Sequence, residues 1–159
     1  MLIETAGPGI RVVQPRSFAG LMTLYAANHA SLRQLLGDLH ALPSMLVSSS
    51  PTDLRIYLKV STRSRYTTSV RMTYWLNVSG SWCPTPDLEL RIYHDARLVE
   101  ALSCHDQSRA ANAGTNAVAP RSELLRRWSL NMLLRKWLVH CLDHRHCFGA
   151  PQAKLADVA

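Results

Sequence analysis

Four short segments between Asp53 and Leu102 alternate apolar and polar residues with a period of two, and a helix-period stretch flanks them on each side. In Asp53–Val60 the apolar set is Leu54, Ile56, Leu58 and Val60. Tyr66, Val70, Met72, Tyr74 and Leu76 continue the pattern, followed by Leu88, Leu90 and Ile92, and then by Arg97–Leu102. Such alternation specifies strands with one wet face, and the short spacings favour antiparallel neighbours. Polar stretches at Ser61–Ser64 and Ser79–Pro86 read as the loops between them. Met45–Val47 is long enough for a short extra strand.

The flanks follow a different period. From Phe18, the residues Leu21, Met22, Tyr25, His29, Leu32, Leu35 and Leu36 recur at three- and four-residue steps, with Ser17 suited to the N-cap and Gly37 to the stop. A second helix is predicted from Ser122 to about His144. The order α-β-β-β-β-α predicts an α+β domain: an antiparallel sheet of four or five strands flanked by long N- and C-terminal helices. Residues 1–16 read as a flexible arm, 17–147 as one domain and 148–159 as a flexible tail. Residues 103–120, rich in small side chains, read as a long loop, either a lid or disordered.

The 159-residue chain is 47% hydrophobic and 18% charged, which suits one globular domain and argues against a disordered chain or a coiled coil. No apolar run reaches the roughly 18 residues needed to span a bilayer, and the N-terminus lacks the pattern of a secretory signal. A cytoplasmic location and no membrane partner are therefore expected, with Cys83, Cys104, Cys141 and Cys147 remaining thiols. The formal net charge of +7 raises nucleic acid as a partner. Yet residues 51–110 carry 8 bases against 6 acids, whereas 121–147 carry 6 against 2, so the excess sits mainly on the second helix.

At 100° per residue, Arg127, Asn131 and Arg135 fall between or beside two apolar arcs of that helix. A polar ridge in apolar surroundings needs partners, and sheet carboxylates such as Glu89 or Asp95 would supply them. Alternatively the ridge faces a groove and receives a phosphate or carboxylate, for which arginine is well shaped. Further along, His140, Cys141, His144 and Cys147 have spacings from which a tetrahedral zinc shell can be drawn, although no CxxC knuckle anchors it. The plainer reading makes Cys141 a small buried residue and lets the histidines complement the helix dipole, with no cofactor bound.

Ser103-Cys104-His105-Asp106 contains the letters of a nucleophile, base and orienter, but neighbours on a strand point to opposite faces. Asp87 and Glu89 resemble a catalytic carboxylate pair, and cross-strand pairing with a base is the simpler account. No GxSxG, P-loop, GxGxxG or HExxH motif is present. Tyr66, Tyr74, Trp75 and Tyr93, interleaved with Arg65, Arg71 and Arg91, suggest a base-stacking sheet. Alternation turns Tyr66 and Tyr74 inward, however, and leaves only Trp75 and Tyr93 outside.

Several stretches resemble the YqiB-like family of small uncharacterised proteobacterial proteins. The resemblance rests on Leu21-Met22-x-Leu24, Asn28, Leu32-Arg33-x-Leu35-Leu36, Arg65-Tyr66-Thr67-Thr68 and Arg91-Ile92-Tyr93-His94-Asp95-Ala96. On the last helix it adds Asn131, Leu133-Leu134, Trp137-Leu138, Cys141-Leu142 and His144. It implies a domain of unknown function and brings Tyr66, Tyr93, His94 and Asp95 beside Arg127, Asn131 and Arg135 as candidate ligand-binding residues. The expected function is a non-enzymatic binding or accessory module acting through a helix–sheet groove on a small anionic ligand, or through a protein partner. A nucleotide or nucleic-acid binder is the alternative class, and a small hydrolase or metal-binding protein a third.

Overall fold

α1 (Phe18–Leu36) starts where Ser17 turns out of extended backbone and its Oγ accepts the Gly20 N–H at 3.0 Å. Gly20 admits no side chain, because a Cβ there would lie 2.6 Å from the Gln14 carbonyl oxygen and 3.3 Å from Trp128. Gly37, at φ 78°, ends the helix as the sequence predicts. α2 (Pro120–Asp143) packs against α1 and against the last strand of the central meander. The computed structural model describes residues 3–5, 10–12, 14–105 and 120–150. The expected lid or disordered loop at 103–120 therefore falls largely outside the described residues, as does the tail beyond Ala150.

Within the expected arm, β1 (Ile3–Thr5) and β2 (Ile10–Val12) pair as a small antiparallel hairpin. A short 3-10 turn, Leu39–Ala41, follows α1, and then come β3 (Met45–Ser49), β4 (Ile56–Arg63), β5 (Thr67–Val78), β6 (Ser81–Tyr93) and β7 (Leu98–His105). β8 (Cys147–Gly149) follows α2. The main sheet has six antiparallel strands in the order β7-β6-β5-β4-β3-β8, where the sequence predicts four or five. β8 lies at the entrance to the expected tail and is too short to show a period.

The predicted inward residues build the core. Ile56, Leu58, Val70, Met72, Leu88, Leu90, Ile92 and Val99 are sealed beneath Leu134, Leu138 and Cys141 of α2 and Leu32 of α1. Three expectations fail. Leu54 precedes β4 and is 55% exposed instead of joining the apolar set of that strand. Tyr66 is not an inward strand residue: it precedes β5 and is 53% exposed, beneath the Arg65 guanidinium at 5.2 Å from its ring centre. The Ser79–Pro86 loop is instead mostly strand. Ser79 and Gly80, at φ 53° and 85°, make a two-residue turn that matches strand twist, and residues 75–86 extend the β5–β6 ladder beyond the neighbouring strands.

Among the described residues, no helix is long and apolar enough to cross a membrane.

Candidate functional site

His29 and Arg33 are four residues apart and share one side of α1, beside the Gly37 stop. The Asp38 carboxylate then accepts the His40 N–H at 3.0 Å and starts the 3-10 turn. Opposite them, the β6–β7 turn is pinned by the His94 N–H donating to the Tyr66 carbonyl at 2.8 Å, and by Arg97 at φ 54°. His94 Nε2 lies 2.7 Å from Thr68 Oγ1, and its ring stacks on His40 at 4.0 Å between centres. Helix, 3-10 turn and β-turn thus enclose a cleft of about 490 Å³ lined by His29, Arg33, Asp38, His40, His94 and Arg97. A second cavity of about 530 Å³ shares His29, Arg33 and Arg97 with it.

Positive groups outnumber the one carboxylate, Asp38, in this lining. Among the described residues, neither the Arg33 nor the Arg97 guanidinium has an ion-pair partner. Arg33 lies in the last turn of α1 and also complements its dipole. Burial pushes His29 below the ordinary histidine range, and the charges of Arg33 and Arg97 push it further. Burial and then the neighbouring His40 lower His94, against opposing pulls from Asp38 and Asp95. For both imidazoles burial is the larger cause, and neighbouring positive groups add to it.

The candidates on α2 are engaged within the fold. Arg127 pairs with Glu100 and Glu123, each at 2.9 Å, rather than with Glu89 or Asp95. Glu100 is buried and also accepts hydrogen bonds from Tyr25 at 3.1 Å and Tyr93 at 3.0 Å. Burial and this carboxylate raise the Tyr25 phenol to about 12. Asn131 faces the open edge of β7: its Oδ1 accepts the Ala101 N–H at 2.7 Å, and its amide donates to the Arg127 carbonyl at 2.9 Å. It satisfies an edge group that no strand pairs. Arg135 donates to Ser31 Oγ at 2.6 Å and to the Ala27 carbonyl at 3.2 Å, which ties α2 to α1. Of the seven candidate ligand-binding residues, only His94 lines the cleft; Asp95 is exposed in the adjoining turn.

The C-terminal histidines gather around Asp53, which sequence reasoning does not single out. Asp53 Oδ2 lies 2.7 Å from Tyr74 Oη and 2.8 Å from Nε2 of both His140 and His146. Burial works against its charge, yet hydrogen bonds from Tyr74, His146, the Leu54 N–H and His140 hold the carboxyl far below the usual range. His146 Nδ1 lies 2.8 Å from Ser48 Oγ, so hydroxyl, imidazole and carboxylate stand in the order of a hydrolytic triad. Ser48, however, is 1% exposed, and its Oγ already accepts the Ile56 N–H at 2.8 Å. No substrate reaches it, and the arrangement braces the fold.

Of the four zinc candidates, His140 and His144 keep their rings 4.1 Å apart on one helix face, but the two cysteines do not join them. His140 turns to Asp53, His144 to Thr52 Oγ1 at 2.8 Å, Cys141 enters the core, and Cys147 is exposed on β8. Burial, with the charge of Asp53, raises the Cys141 thiol to about 12. No group of three or more His, Cys, Asp or Glu among the described residues is placed to hold a metal ion. Cys104 and His105 lie next to each other on β7, opposite Leu88 and Asp87, while Asp106 falls outside the described residues.

The model of a family described as a protein of unknown function, DUF1249, matches residues 31–147. The uncharacterised protein YqiB of Escherichia coli K12 is 29% identical over 130 residues, covering 80% of this chain and 89% of the relative. YqiB proteins from the CFT073 and O157:H7 strains match to the same extent. No solved structure matches.

Proposed function

Since the chain belongs to the DUF1249 family, whose description carries no activity, we propose its function from the geometry: it is a binding module that captures a small anion in the helix–sheet cleft. The carrying observation is that Arg33 of α1 and Arg97 of the β6–β7 turn, neither with an ion-pair partner among the described residues, line one concave space with His40 and His94. Arginine presents forked donors that match phosphate or carboxylate, and histidine adds donors whose charge adjusts to the ligand. The two cavities together have room for a phosphorylated metabolite more readily than for a long polymer.

The test is titration with inorganic phosphate, pyrophosphate and AMP, followed by calorimetry and by the His29 and His94 ring resonances. Arg33→Ala with Arg97→Ala should weaken phosphate binding by about tenfold or more, because each charged hydrogen bond contributes about 1.5–3 kcal/mol at most. Thermal stability should remain within about 0.5 kcal/mol, since neither guanidinium braces the fold. If all three anions leave the histidine resonances unmoved, the reading is wrong.

A further inference from the structure

The side of the sheet away from the helices carries a further cavity, separate from the basic cleft. Residues Thr73 and Asp87 form a register pair one step from the core residues Met72 and Leu88, so they face the opposite side. They are nevertheless only 8% and 7% exposed. The pairing register shifts just beyond them, between Thr73 and Trp75, where the β5–β6 ladder runs on past its neighbours. Trp75 and Pro84, paired across that extension, meet Tyr57 of β4 and Met45 of β3 around a cavity of about 370 Å³.

Its polar groups are few and unequal. Arg71 and Asp87 are ion-paired with each other across the strands. Lys59, next to Arg71 in the register, has no ion-pair partner among the described residues. Met45, Tyr57, Trp75 and Pro84 thus form the apolar wall, beside the Thr73 hydroxyl, one matched charge pair and one unmatched ammonium. We propose that this cavity binds a planar aromatic monoanion of the aryl carboxylate class, with its ring against Trp75 and Tyr57 and its carboxylate at Lys59. An apolar pocket with a few fixed polar groups is the usual form of a small-molecule site. The unmatched charge sets the sign of the ligand, because the paired Arg71 and Asp87 contribute no net attraction.

The probe is 2-naphthoate, compared with uncharged 2-naphthamide and cationic 2-naphthylmethylammonium. Binding is read from the Trp75 indole N–H resonance, assigned with Trp75→Phe. The naphthoate should bind about fivefold more tightly than the amide, the cation most weakly, and Lys59→Gln should erase the difference while leaving the amide unchanged. Trp75→Ala, followed by calorimetry because the indole signal is gone, should weaken both by about tenfold. Lys59→Gln alters an exposed side chain, so it keeps the test open if the tryptophan variant fails to fold. Arg33→Ala with Arg97→Ala should have no effect, which separates this site from the cleft. Absence of binding, equal binding of the three probes, insensitivity to Lys59→Gln, or shifts confined to Trp82 would each overturn the proposal.

Discussion

Asp53 and His146, 93 residues apart in sequence, meet at 2.8 Å through a carboxylate oxygen and a ring nitrogen. With Ser48 donating to Nδ1 and the imidazole donating from Nε2, every polar atom of the buried ring is satisfied. The same carboxylate oxygen collects Tyr74 and His140, so one aspartate joins α2, β5 and the segment after α2.

Replacing this hub should make stability respond to acid. Asp53 has a folded pKa below its unfolded value, so its contribution is complete above the unfolded value of about 4 and declines as the pH falls towards the folded one. Asp53→Asn should cost about 2 kcal/mol at neutral pH, the worth of charge-assisted hydrogen bonds at a largely buried site. The gap from the parent in urea unfolding should close below about pH 4. A gap of constant size from neutral to strongly acidic pH would show that the charge of Asp53 contributes nothing.

Asn131→Leu tests the edge clamp. The substitution keeps the branch at Cγ but leaves the Ala101 N–H without its 2.7 Å acceptor at a fully buried position. A loss of about 1–3 kcal/mol follows from the unsatisfied donor. Amide exchange at Ala101 should accelerate more than at Val70 in the middle of the sheet. Uniform acceleration across all strands would mean that the edge is not opened selectively.

Anion capture in the cleft should be proton-coupled. His29 and His94 have lowered folded pKa values, so protein stability without ligand should fall as the pH drops from about 6.5 towards those values. A bound anion favours the protonated rings, and phosphate affinity should therefore rise as the pH falls below about 6.5. Asp38 and Asp95 limit the rise because they already raise His94 partially. Calorimetry in two buffers of different ionisation heat would show proton uptake on binding. A pH-independent affinity with no uptake would remove the histidines from the site.

The strands that pack on the helices are legible in the sequence because each carries its core on alternate positions; Ile56, Leu58, Val70 and Met72 illustrate this directly. Ser17 and Gly37 are equally legible, as each fixes a backbone end by its own chemistry. The β5–β6 extension is not. None of residues 75–86 is buried, so no apolar alternation is required, and Pro84 and Pro86 resemble loop punctuation. The α2 ridge is visible as a pattern, but its partner depends on how Glu100 at the sheet edge reaches the helices. The cleft escapes notice for a different reason. His29, His40 and Arg97 come from three elements and form no local motif; only His94 and Arg33 stand out, through the family resemblance.

The placement of β8 has a consequence for the order in which the protein is made. Ser48 and His146 are 98 residues apart, and β8 pairs with β3 rather than with the strand formed just before α2. A nascent chain that has emerged only through β7 therefore carries a complete meander whose β3 edge is open and whose Asp53 has neither histidine. Synthesis must continue through α2 before that edge is closed. During this interval the young chain offers its neighbours a strand-pairing surface that the finished molecule keeps for itself.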